Sequence, residues 1–172
     1  LPENMRAIGG AGLQSGAITC VWRQVTTPIV AVVLHGAAIW IWHLPALYEM
    51  AVRNEGIHAF QHATFVGTSI FFWWGLVYGR YGRAAYGASA FYVFITSLHT
   101  GVLGAMFTLS SAPFYPLYAV RASQAGHGAV PDQQLAGIYM WIPAGLVLTL
   151  FGLALLVAWL SEAERRTTAR DL

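Results

Sequence analysis

Charge, lysine and cysteine are all scarce in this sequence. Only 9% of the 172 residues are charged, all nine basic residues are arginine, and Cys20 is the single cysteine. A soluble domain carries about 25% charged residues, so the composition argues against one. A single thiol excludes an intrachain disulfide and a Cys-x-x-Cys metal site, and we expect Cys20 to be a free, buried thiol. The net charge of +2 is too small for a nucleic-acid-binding protein.

Long apolar runs take the place of the missing charge, since 57% of the residues are hydrophobic. Runs of about twenty apolar residues predict membrane spans, and lipid favours helices because every backbone polar group must pair within the chain. We therefore predict an all-α integral membrane bundle with four transmembrane helices, at residues 28–47, 58–79, 84–110 and 133–160. Asp132 is the predicted N-cap of the fourth helix, and Pro143 is predicted to kink it.

The arginines predict how the chain is oriented, because cytoplasmic loops are enriched in basic residues. Seven arginines fall on one side of the predicted spans, and only Arg53 and Arg121 fall on the other. Both termini are then cytoplasmic. Residues 1–27 form a cytoplasmic segment, 28–160 the membrane domain and 161–172 a cytoplasmic tail. The loops 46–57 and 111–131 face outside, where Phe114, Tyr115 and Tyr118 fit an aromatic belt.

Potential metal ligands from all four spans fall at similar depth in the outer half of the membrane under this topology. Ionisable groups inside a bilayer are costly and usually functional. Imidazole together with thioether suits copper, with Cu(I) favoured by the soft sulfur. His58 and His62 add local geometry, because side chains at i and i+4 lie about 5–6 Å apart on one helix face. The candidate ligands are His43, His58, His62, His99, Met106, Asp132 and Met140.

Simpler interpretations apply to several of these residues. His35 lies nearer the middle of its span, about 12 Å along the axis from His43, and a ligand, a relay group and a helix–helix hydrogen bond remain open for it. Buried methionines are more often packing residues than ligands. Two other functions also remain open. The histidines of facing helices could bind haem b, or they could tie helices together in a metal-free scaffold.

Four stretches resemble the CtaG family of multi-span cytochrome c oxidase assembly factors. They are His35-Gly-Ala-Ala-Ile-Trp-Ile-Trp-His43, His58-Ala-Phe-Gln-His62, His99-Thr-Gly-Val-Leu-Gly-Ala-Met106 and Asp132-Gln-Gln-Leu-Ala-Gly-Ile-Tyr-Met140. The resemblance covers about residues 27–160. It implies a non-enzymatic protein of the bacterial cell membrane that helps mature haem-copper oxidases and serves the copper beside the high-spin haem. Members often have six or seven spans, so we expect further spans before residue 1.

Together these patterns give one working hypothesis. Cu(I) comes from an extracytoplasmic donor, is held by His58, His62 and His99 with His43 as the fourth ligand, and passes within the lipid bilayer to the oxidase catalytic subunit. The resemblance brings no individual roles with it. His35, Met106, Met140 and Asp132 therefore remain further candidates for the site.

Overall fold

The computed structural model describes residues 16–78 and 86–168, and the regular structure within these two ranges is entirely helical. The all-α prediction is thereby confirmed for this part of the chain. The helices are α1 (Gly16–Val25), α2 (Pro28–Trp42), α3 (Pro45–Arg53), α4 (Glu55–Tyr78), α5 (Tyr86–Leu109), α6 (Pro116–Gln124) and α7 (Ala129–Thr168).

Within the described residues, two helices are long and apolar enough to cross a bilayer, α5 with 24 residues and α7 with 40. The predicted first span is broken instead. Its helix α2 ends at Trp42 after 15 residues, which is about 22 Å and short of the ~30 Å hydrocarbon core. Helices α1 and α2 meet at a bend of 74° and become a third candidate only if the pair counts as one span.

Helix α4, the second predicted span, is not among these candidate membrane helices. Its 24 residues give sufficient length, but polar side chains occupy its first two turns and lower its hydropathy. They include His58, Gln61 and His62. The residues that the structure describes therefore support two or three spans by length and composition, whereas the sequence predicted four.

Two further predictions need correction. Helix α7 begins at Ala129, and the Asp132 backbone N–H donates to Gly128 O at 3.2 Å. Asp132 thus lies inside the first turn and is not the N-cap. The reason is that Pro131 is tolerated in a first turn, where its missing N–H is not needed. Cys20 is exposed on α1, not buried. The predicted loop arginines Arg80 and Arg83 lie outside the described residues.

Among the described helices, α5 and α7 have the most extensive close backbone packing. Glycines make it possible. A Cβ atom on Gly104 would lie 2.5 Å from Trp141 Cβ, and one on Gly137 would lie 2.8 Å from Phe107 Cβ. Small residues let membrane helices approach in this way. Helix α2 packs against both α4 and α5, so the bundle consists of an α2–α4 pair joined to an α5–α7 pair.

Two short helices, α3 and α6, cover one end of this bundle and are termed the lid. The Leu117 N–H at the start of α6 donates to Glu49 Oε1 of α3 at 2.8 Å. In return, Arg121 Nη1 donates to Val52 O at 3.0 Å. Because α3 connects α2 to α4 and α6 lies between α5 and α7, their contact brings together the ends of four helices. The C-termini of α2 and α5 and the N-termini of α4 and α7 therefore lie at the lid end.

Candidate metal-binding site

An exposed histidine pair lies at the lid end of α4. His58 Nε2 and His62 Nε2 are 2.9 Å apart, and the ring centroids are 4.7 Å apart. One imidazole donates a hydrogen to the other, so a cation could replace that shared proton. A tetrahedral ion with metal–nitrogen bonds of about 2.0–2.1 Å needs nitrogen atoms roughly 3.4 Å apart. A small side-chain rotation would therefore suffice for both rings to bind one ion.

A cavity of about 790 Å³, termed the central cleft, has walls from α2, α4, α5 and α7. Most of its lining is apolar, which suits a cavity inside a membrane bundle. The exceptions include His35 of α2 and His43, the residue that directly follows α2, together with the thioether of Met140 from α7. Three of the residues that the sequence singled out thus share one cavity, although they come from opposite halves of the bundle.

Hydrogen bonds fix which nitrogen of His35 and His43 carries the proton. His43 Nδ1 lies 2.7 Å from Ile39 O, and a carbonyl can only accept, so Nδ1 donates. His35 Nδ1 lies 3.1 Å from Thr68 Oγ1, whose own hydrogen goes to Thr64 O at 2.8 Å. In a neutral imidazole, Nε2 then keeps its lone pair. Both rings therefore present a nitrogen that can bind a metal, with the other nitrogen anchored as in most histidine ligands.

His99 has the opposite arrangement. Trp40 Nε1 can only donate, and it donates to His99 Nδ1 at 3.4 Å. The proton of a neutral His99 must then be on Nε2, which is buried and has no hydrogen-bond partner. That atom packs against α2, 3.4 Å from where a Cβ of Gly36 would be. His99 in this conformation offers a donor, not a metal ligand.

The predicted set of four histidines is not assembled in this conformation. Across residues 16–78 and 86–168, no three side chains of His, Cys, Asp or Glu are placed to hold a metal ion. The structure brings His58 to His62, and it brings His35, His43 and Met140 to the cleft. His99 is not among the residues that line the cleft, although its ring packs on Gly36, next to His35. Met106 is 46% exposed beside a separate cavity that His43 also lines. Asp132 is engaged as an acceptor for the Tyr118 hydroxyl.

Three tyrosines in or next to the lid helices lie around His43, and no sequence pattern predicted this. A smaller cavity of about 120 Å³ has His43, Met140, Tyr48, Tyr115 and Tyr118 in its lining. The Tyr115 hydroxyl donates to His43 O at 3.1 Å. Burial raises the pKa of Tyr48 and of Tyr115, so both phenols stay protonated around neutral pH. Two of the three had been expected only as interfacial aromatic residues, since no local pattern links them to His43.

These features define a helical membrane protein with a histidine-bearing cleft beneath a two-helix lid. A family model described as cytochrome c oxidase caa3 assembly factor (Caa3_CtaG) matches residues 4–162. The chain belongs to this family, which confirms the resemblance seen in its motifs. Cytochrome c oxidase is accordingly the complex that the family serves. No curated protein and no solved structure shows a significant match to the chain.

Proposed function

We propose that this protein carries Cu(I), as cargo, to the catalytic subunit of a bacterial haem-copper oxidase. Family membership supports the oxidase as partner. The arrangement of the imidazoles supports copper. The protein acts by exchanging ligands and not by catalysis. It does so in the cell membrane, with four spans and with its lid facing an extracytoplasmic copper donor.

The position of Phe65 carries the proposal, because this residue contacts both the exposed histidine pair and His43. The Phe65 ring lies 6.3 Å from the His62 ring and 6.1 Å from the His43 ring, measured between centroids. Phe65 also lines the central cleft. Copper received by His58 and His62 thus has a short route past one aromatic side chain to the lone pair of His43. Neutral imidazoles suit this route, since binding a monovalent ion adds only its single charge.

Helix α4 is the fourth span under this proposal. Its hydropathy is low because the polar residues of the copper route lie in its first two turns, where His58 and His62 are exposed at the lid end. Gln61 between them is buried, and the rest of the helix is rich in aromatic and aliphatic residues. A functional span often carries polar groups that lower its apolar signal.

The decisive experiment is anaerobic Cu(I) binding by the purified, detergent-solubilised protein, measured by competition with a colorimetric chelator. We expect a His58→Ala/His62→Ala variant to bind the ion at the pair at least ~10-fold more weakly, because even supporting residues of metal sites cost 10–100-fold. His127→Ala is the matched control, since His127 is exposed in the loop between α6 and α7. Equal copper in the double variant and the wild type would eliminate the pair as ligands.

The same preparation tests the two other functions. A bound haem b would give an intense Soret band in the visible spectrum. We expect none with His99 as an axial ligand, because its ring packs directly on Gly36 of α2. A metal-free scaffold would bind no copper in any variant, and its histidine substitutions would lower the yield of folded protein alone.

A further inference from the structure

The 120 Å³ cavity under the lid contains donor atoms that the protein leaves unused. Gln133 is hydrogen-bonded at both ends of its amide, because its Oε1 accepts from Phe114 N at 2.7 Å and its Nε2 donates to Ala112 O at 3.2 Å. The Tyr115 and Tyr118 hydroxyls donate to His43 O and Asp132. Two lining residues then keep a donor suited to a soft metal, His43 with the lone pair on Nε2 and Met140 with its thioether sulfur.

This donor set is selective. An imidazole nitrogen with a thioether sulfur matches a soft ion such as Cu(I), whereas hard divalent ions prefer carboxylate and carbonyl oxygens. No carboxylate is among the residues that line the cavity. Asp132 is close by, but it is hydrogen-bonded to Tyr118. A divalent ion would therefore meet no negative side chain in the lining. Its desolvation cost is also roughly four times that of a monovalent ion, because the Born energy scales with the square of the charge.

Aromatic rings form much of the remaining wall. Tyr48 and Tyr115 stack at 3.8 Å, and the Phe107 ring lies 5.8 Å from both His43 and Tyr115. Aromatic faces attract a cation, most strongly where water is excluded. These rings therefore favour a cation in the cavity of about 120 Å³.

We infer that His43 and Met140 form a second Cu(I)-binding site, separate from the exposed His58/His62 pair. This inference rests on the proposed function and adds a sequence of binding steps to it. The exposed pair receives the ion first, and the cavity under the lid then holds it. A site with two protein ligands binds the ion while leaving room for the ligands of an acceptor. That property is required where cargo must be released.

The test compares Met140→Leu with Met106→Leu, using anaerobically loaded protein and X-ray absorption at the copper edge. Leucine keeps about the same volume without the sulfur. Met106 provides the control because it lies in the other cavity beside His43 and is 46% exposed. We expect two Cu(I) per wild-type chain with sulfur scattering. Met140→Leu should keep one Cu(I) and lose the sulfur signal, while Met106→Leu should keep both.

Other results separate this inference from the proposed function. If His58→Ala/His62→Ala loses copper but Met140→Leu retains two ions and sulfur scattering, the second binding site is not formed by Met140. The proposed carrier function is then unaffected. Loss of the sulfur signal in Met106→Leu instead would also overturn the assignment to Met140. If the wild-type protein binds no Cu(I), both proposals fail. Thermal unfolding of each leucine variant shows whether its fold is retained.

Discussion

At the scale of single residues, neighbouring hydrogen bonds divide chemically identical histidines into different roles. His43 gives its Nδ1 hydrogen to a carbonyl of its own helix, so its Nε2 is free to bind a cation. His99 accepts from an indole, so its Nε2 carries the hydrogen. This difference makes His43 and His35 better candidates for ligands than His99. It depends on Trp40 and Thr68, which are 59 and 33 residues away in sequence from the histidines they contact.

A glycine substitution tests the packing that supports this site. A Cβ on Gly137 would lie 2.8 Å from Thr108 N and 2.6 Å from Thr108 Oγ1, and a backbone atom cannot easily move aside. We expect Gly137→Ala to destabilise the protein by about 1–3 kcal/mol through overpacking. Gly67→Ala is the control because nothing lies within 4 Å of its would-be Cβ.

Helix propensity alone gives the opposite expectation for both changes, since alanine favours a helix over glycine by about 1 kcal/mol. Thermal unfolding in detergent therefore gives a clear answer. We expect Gly67→Ala to match or exceed the wild type in unfolding temperature and Gly137→Ala to fall below it. Equal unfolding temperatures for the two variants would mean that α5 and α7 do not approach as closely as described.

At the scale of elements, the lid is held by exchanged hydrogen bonds between α3 and α6. Glu49 accepts from Leu117 N and so caps the start of α6. We expect Glu49→Ala to weaken α6 by about 1 kcal/mol, a typical value for a lost cap. This corresponds to about fivefold faster amide hydrogen exchange in α6. Mass spectrometry of peptides covering residues 116–124 measures it.

Arg53→Ala is the matched control for this experiment. Arg53 pairs with the same carboxylate at 3.7 Å, but its side chain is 63% exposed, and exposed ion pairs contribute little. Exchange in α6 should therefore stay close to wild type. If Arg53→Ala accelerates exchange as much as Glu49→Ala does, the ion pair and not the cap holds the lid together.

The elements also show which parts of the fold the sequence could predict. The third span was placed within two residues of α5, because a long apolar run is a strong local signal. The lid helices were missed because nine residues each are too few to give a clear periodic pattern. Both begin with proline at the first helical turn, a start signal that could have revealed them. Helix α1, within the predicted N-terminal segment, was missed in the same way.

The candidate site likewise has parts that the sequence could predict and parts that it could not. The spacing of His58 and His62 predicted their contact, since i and i+4 positions are adjacent on any helix. Alternating helix directions also led us to expect His43 and Met140 near one another, and both line the central cleft. The lid tyrosines and the proton positions could not be anticipated. The bond from Tyr115 to His43 O joins residues 72 apart, and only the folded arrangement of four helices brings them together.

At the scale of the whole molecule, orientation decides whether the copper route opens toward the outside. The lid end carries Arg53 and Arg121. Arg23 lies in the last turn of α1, and Arg165 and Arg166 lie in the last turn of α7, away from the lid. Helix α7 alone is 40 residues long, roughly 60 Å or twice the hydrocarbon thickness. Its two ends therefore emerge on different sides if it spans the membrane. The arginine distribution predicts that the lid end is extracytoplasmic.

Single-cysteine labelling tests this orientation in a Cys20→Ser background. His127→Cys marks the loop before α7 and Thr167→Cys marks its far end, and both positions are exposed. A membrane-impermeant maleimide should label His127→Cys in right-side-out vesicles and Thr167→Cys only in inverted ones. Reversed labelling would place the His58/His62 pair on the cytoplasmic side. Copper would then have to come from a cytoplasmic donor, and the proposed delivery from outside would be untenable.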